Sequence, residues 1–263
     1  MNWAAILGVD FPVFLMVLGR TSGLIITAPY FQSRSMPVMV RAGLALFLAL
    51  VLAPVLGLRY GAEWTQGNLW IQSFTAEVMT GLTMGYLLNL SFVAIQVSGQ
   101  LIDVSIGFGV VNILDPQSGV EMPITGQFQQ IMALWIFLVL HGDHLIIGAL
   151  AHSYKIIPPA AFSLTTHGVK VILEAFGGMF LLGFQIALPI VGAIFLADLA
   201  MGIVSRLIPQ INIFVTGFPI KIALGLLMLI LLIPMLSHLM NNFASQGGQL
   251  WQTLERTLPY FHR

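Results

Sequence analysis

Residues 171–208 read VILEAFGGMFLLGFQIALPIVGAIFLADLAMGIVSRLI, 38 positions in which only Glu174, Asp198 and Arg206 are charged. Drawn as a single α-helix the stretch would be about 57 Å long, well beyond the ~30 Å hydrocarbon core of a bilayer. Pro189 stands near its middle and removes a helical hydrogen bond. A kink or a broken helical hairpin is expected there. Five further apolar stretches, at about 11–30, 40–58, 74–97, 128–151 and 213–240, each approach or exceed the ~20 residues that cross a bilayer as helix. The expected fold is therefore an all-α integral membrane protein with about six long apolar helices, several of them bent or broken into helical hairpins.

Composition supports the same class. Of 263 residues, 58% are hydrophobic and 8% charged, against roughly 25% charged in a soluble domain; mean hydropathy is +0.94. Ten basic and ten acidic residues cancel, which leaves no basic face for nucleic acid. Cysteine is absent, excluding disulfides, thiolate metal sites and cysteine nucleophiles. The first residues, MNWAAILGVDFPVF, lack the basic region and small-residue cleavage site of a secretory signal, and are expected to stay in the first apolar helix. Lys and Arg counted in alternating loops divide as Arg59, Lys155, Lys170, Arg256 and Arg263 against Arg34, Arg41 and Arg206. That is a weak positive-inside signal, which chance in a charge-poor protein explains, as do helices that do not each cross the bilayer individually. The polar tail, 241–263, reads as an amphipathic surface helix ending near Pro259.

Five charges lie inside the apolar stretches: Arg20, Glu77, Glu174, Asp198 and Lys221. Charge at membrane depth is costly and faces a partner, a cavity or water. Two readings follow. The charges pair between helices or subunits, with Asp198 and Lys221 as possible mates, or they form a relay in a stand-alone secondary transporter. His141-Gly142-Asp143-His144 sets two imidazoles at i and i+3 about a carboxylate, a spacing able to bind metal on a helix. No HExxH supports it, and a polar interruption at a helix end explains it equally well. Neither a GxSxG elbow nor a Walker A sequence is present, so no hydrolase or nucleotide motif appears.

Residues 103–126, DVSIGFGVVNILDPQSGVEMPITG, are different in kind. They spend three carboxylates (Asp103, Asp115, Glu121), four glycines and two prolines on a stretch that cannot be one regular helix. Irregular backbone at membrane depth is tolerated only inside protein or along a water-filled cavity. Gly107 and Gly109 flank Phe108; Val110, Val111, Ile113 and Leu114 follow; Asp115-Pro116 and Gly119 allow turns. This is the composition of a movable apolar plug, and equally of an interhelical loop packed on its own bundle. The carboxylates suit anchoring of its two ends by capping or pairing.

Segments spread in order along the chain carry a resemblance. They include Ile26-Thr27-Ala28-Pro29 after Arg20, Arg41-Ala42-Gly43-Leu44, Gly99-Gln100-Leu101-Ile102-Asp103, Gly107-Phe108-Gly109, Leu114-Asp115-Pro116-Gln117-Ser118-Gly119, His141-Gly142-Asp143-His144-Leu145, and Pro209-Gln210-Ile211-Asn212-Ile213-Phe214 with Gly217-Phe218-Pro219-Ile220-Lys221. Together they resemble the FliR family, membrane components of the flagellar type III export gate. Gly142-Asp143-His144 departs from a more usual Gly-His-His. The resemblance implies neither an enzyme nor a cofactor. It implies a FliP-like part over 1–160 and a FliQ-like hairpin part over 161–263. It also implies a single copy assembling helically with FliP and FliQ, beside other export-apparatus membrane proteins, in the bacterial inner membrane within the flagellar basal body. Unfolded rod, hook and filament proteins would be the substrates. The family's plug loop maps onto about 106–120, with Phe108, Val110, Val111, Ile113 and Leu114 sealing and Gly107, Gly109 and Gly119 as hinges.

Overall fold

A computed structural model describes residues 11–29, 31, 36–60, 70–108, 123–210, 213–244 and 249–261. Each of the six apolar stretches is helical: α1 (Phe11–Thr27), α2 (Val38–Tyr60), α3 (Trp70–Ile106), α4 (Ile124–Val139) with α5 (Gly142–Ile156), α6 (Thr166–Leu207) and α7 (Ile213–Ala244). A short α8 (Gln249–Thr257) and a 3₁₀ turn (Leu258–Phe261) close the chain, and Pro259 falls inside that turn. Among the described residues there is no β-strand. Among the described residues four helices (α2, α3, α6 and α7) are long and apolar enough to cross a membrane, and α4 with α5, bent by 73°, is a candidate fifth as a broken span or a re-entrant pair.

The break sits elsewhere than the proline rule suggests. The 42-residue α6 stays helical through Pro189, so no hairpin divides it. Likewise α2 carries Pro54, and α7 carries Pro219 and Pro234, without interruption. A proline costs one hydrogen bond and a steric clash, which a long helix absorbs by local adjustment when apolar surroundings penalise opening the backbone further. The fourth stretch breaks instead at His141, whose φ of 56° and ψ of 38° place it in the left-handed region. A non-glycine residue there terminates a helix, and the polar sequence His141-Gly142-Asp143-His144 restarts it.

The chain forms two units, 1–90 with 141–175 and 244–263, and 91–140 with 176–243. In the first, α1 packs on α2 around Ile25, Ala28, Phe31, Ala45 and Leu48. The backbones of α1 and α3 nearly touch: a Cβ at Gly81 would stand 2.0 Å from the Arg20 carbonyl oxygen, and one at Gly23 would stand 2.5 Å from that of Val78. Small residues permit such approach where lipid supplies no hydrophobic drive. The amphipathic tail docks here. Phe261 stacks on Phe162 with centroids 5.4 Å apart, and the Ser163 N–H donates to the Phe261 carbonyl at 2.7 Å.

In the second unit, Phe92, Phe137 and Phe243 meet with centroids 5.6 to 6.5 Å apart. Gly183 lets α6 approach the Ala94 carbonyl, 2.8 Å from where a Cβ would lie. By contrast, Gly177, Gly178, Gly192 and Gly202 face open space. Phe180, Phe184, Leu188, Phe195 and Leu199 of α6 are exposed, which is a surface for lipid or other membrane helices rather than for water.

Candidate functional site

The base of the glycine-rich segment is built from both of its ends. α3 terminates at Gly107, whose φ of 101° is open to glycine and strained for other residues. The N–H groups of Gly107 and Phe108 both donate to the Asp103 carbonyl, at 3.0 and 2.9 Å, a glycine C-cap. The Asp103 side chain meanwhile reaches the far end of the segment. Its carboxylate accepts the Thr125 N–H at 3.1 and 3.2 Å and the Thr125 hydroxyl. One aspartate thus closes α3 with its backbone and caps the start of α4 with its side chain. A charged acceptor there also complements the positive end of the α4 dipole.

Two further contacts extend this clasp along the α3–α4 hairpin. Gly99 and Gly126 cross so closely that a Cβ on Gly99 would fall 2.1 Å from the Gly126 Cα. One turn away, the buried Ser98 hydroxyl donates to Gln129 Oε1 at 2.7 Å. The segment therefore leaves and returns at one fixed place. Gly107 and Phe108 are both half-buried at its start. Gly109, Val110, Val111, Ile113, Leu114, Asp115, Gly119 and Glu121 lie outside the described residues.

The charges within the apolar helices have definite surroundings. Arg20 is fully buried and Glu77 is 1% exposed. They form a forked pair, Nε to Oε2 at 2.8 Å and Nη2 to Oε1 at 3.1 Å, the geometry a planar guanidinium favours. Arg20 also donates to Ser153 Oγ at 3.0 Å and to the Ile157 carbonyl at 3.1 Å, and lies 3.8 Å from the Tyr154 ring centre. Glu77 accepts the Ala160 N–H at 2.9 Å. Ala160 itself has a φ of 62°, so the turn following α5 is held in a left-handed conformation against the ion pair.

Lys221 on α7 meets Asp198 on α6 within the same chain, Nζ to Oδ1 at 2.6 Å, both partly exposed. Glu174 is 65% exposed in the single chain, 4.0 Å from Lys170 one turn away. It lines an open cavity between the start of α6 and the tail residues Thr253, Glu255, Arg256 and Tyr260. His141, Asp143 and His144 cluster at the α4–α5 break, all exposed, with ligand atoms within 4.8 Å of one another. The Asp143 carboxylate and His144 Nδ1 are 3.2 Å apart, so the polar groups of this helix start satisfy each other locally.

The sequence of residues 11–247 matches the family described as bacterial export proteins, family 1. The chain belongs to that family. Among curated proteins it is similar to the flagellar biosynthetic protein FliR of Bacillus subtilis, 34% identical over 89% of this chain and 91% of the relative. It is also similar to FliR of Escherichia coli, 27% identical over 94% of each. A further relative, the Yop proteins translocation protein T of Yersinia pestis, is 28% identical over 76% of this chain and 78% of its own length. The resemblance carried by the ordered motifs thus extends over nearly the whole export protein. These relatives are named for export and flagellar biosynthesis rather than for catalysis.

Several residues of the export protein's site escape a reading of the motifs. Thr125, Gly126, Ser153, Tyr154 and Ala160 look unremarkable in sequence. Thr125, Ser153, Tyr154 and Ala160 stand out only because a charge more than twenty positions away meets each of them, and Gly126 because it lets Gly99 pass close by. The one legible signal is Pro123-Ile124-Thr125-Gly126, where a proline and a small polar residue open an apolar run as at a helix start.

Proposed function

We propose that this chain is the FliR-type component of a flagellar type III export gate. In this reading it joins FliP and FliQ in one helical membrane assembly of the bacterial inner membrane, within the basal body. Residues 1–160 serve as a FliP-like part and residues 161–263 as a FliQ-like part. The assembly passes unfolded rod, hook and filament proteins. Residues 106–120 plug its pore at rest, with Phe108, Val110, Val111, Ile113 and Leu114 as the seal and Gly107, Gly109 and Gly119 as hinges.

The observation that carries this reading is the clasp of Asp103 on Thr125. A pore wide enough for an unfolded chain leaks ions unless it is closed, and an apolar constriction closes it by excluding water. A plug must be displaceable while its ends stay in register. The clasp supplies fixed ends, and the intervening residues supply the apolar seal. Four of the five charges of the apolar helices support the same reading, because they pair off as Arg20–Glu77 and Asp198–Lys221. A transporter relay would instead require acids free to bind and release ions along one path.

Deleting residues 107–114 in cells that assemble the full complex is the test. A rise in resting ion leak with the complex intact is expected. Unchanged conductance would overturn the plug. Intact-mass measurement of the gently solubilised complex checks the partners, with two other small membrane proteins expected beside one copy of this chain.

A further inference from the structure

Three residues on one face of α7, Phe218, Lys221 and Gly225, follow the i, i+3, i+7 spacing of a single helical stripe. Each meets a different neighbour. The Phe218 ring lies over Gly107, with Cε2 2.9 Å from where a Cβ would stand. Lys221 Nζ is 2.6 Å from Asp198. Gly225 leaves room for the fully buried Ile106, whose Cδ1 would lie 2.5 Å from an added Cβ. The last residue of α3 and the first beyond it are thus held by α7 as well as by their own helix cap.

We infer that Phe218 is a positioning residue for the gate segment, an aromatic seat that fixes the direction in which it leaves α3. The inference rests on the plug reading above. Gly107 at φ 101° turns the chain out of the helix in a conformation that a backbone without a side chain holds only loosely. The ring over it restricts that freedom by contact. The ion pair between Lys221 and Asp198, one turn further along the same stripe, fixes the register of the ring against α6. Any displacement of α7 relative to α3 would therefore release the base of the segment, so the α6–α7 hairpin acts on the plug through this contact.

The natural absence of cysteine makes the test direct. Phe108→Cys supplies a single thiol in this chain, and its labelling by a maleimide is followed in the assembled complex by the mass of this chain alone. Adding Phe218→Ala is expected to speed labelling about tenfold and to raise resting ion leak, while Phe218→Leu stays near the parent. Unchanged labelling in Phe218→Ala complexes recovered at the parent level overturns the seat. Should that variant fail to assemble, Gly225→Val displaces Ile106 from the same place, and unchanged labelling there overturns it equally. Deletion of residues 107–114 separates the two ideas. Leak on deletion, with labelling in Phe218→Ala unaltered, leaves the plug and refutes the seat; faster labelling in Phe218→Ala, with no leak on deletion, supports the contact and refutes the plug.

Discussion

Replacing Glu77 with alanine leaves the Arg20 guanidinium, fully buried, with Ser153 Oγ and the Ile157 carbonyl as its remaining acceptors. It also strips the Ala160 N–H of its acceptor. Breaking a buried ion pair by removing one partner costs about 3–5 kcal/mol, and an orphaned N–H up to about 1–3 kcal/mol when buried, less at the part-buried Ala160. The two overlap, because the turn at Ala160 can relax once its acceptor is gone, so we take ~4 kcal/mol as the expected loss. That is close to a thousandfold in the folding equilibrium and a large share of the roughly 5–15 kcal/mol that holds a domain. Removing both charges with Arg20→Met and Glu77→Met should cost far less, since neither charge is then left uncompensated. Thermal unfolding in mild detergent, with membrane abundance as the cellular readout, compares the single and double variants. The reasoning is refuted if Glu77→Ala loses under about 1 kcal/mol, or if the double variant is as damaged as the single one.

Asp103→Ala should cost about 1 kcal/mol as the loss of a helix cap and should speed hydrogen exchange at the Thr125 amide; unaltered exchange would show that the clasp carries no load. Gly81→Ala places a methyl 2.0 Å from the Arg20 carbonyl oxygen and should sharply lower membrane abundance. Gly177→Ala meets nothing within 4 Å in the chain and should leave the isolated chain as stable or up to ~1 kcal/mol more so, measured by unfolding side by side. Metal analysis of the purified chain should find less than one equivalent. His141, Asp143 and His144 are exposed to competing water, and the Asp143 carboxylate already lies 3.2 Å from His144 Nδ1.

The sequence by itself determined the class of protein and the number of its apolar stretches, because both follow from composition and run length summed over many residues. It also marked the charges that need partners and the one segment unable to continue as helix. Pro189 is instructive: of the kink or broken hairpin expected there, the hairpin does not form. A proline is a local signal, and whether a helix breaks depends on what the surroundings charge for opening the backbone, so α6 runs on while the fourth stretch breaks at His141. Which charges meet was decided only by tertiary structure. Arg20 finds Glu77 57 positions away and Ser153 133 positions away, and no periodicity encodes such distances. The same holds for Asp103 on Thr125 and Phe218 over Gly107: each joins the end of one helix to another helix, and an end becomes a site only when packing brings its partner to it.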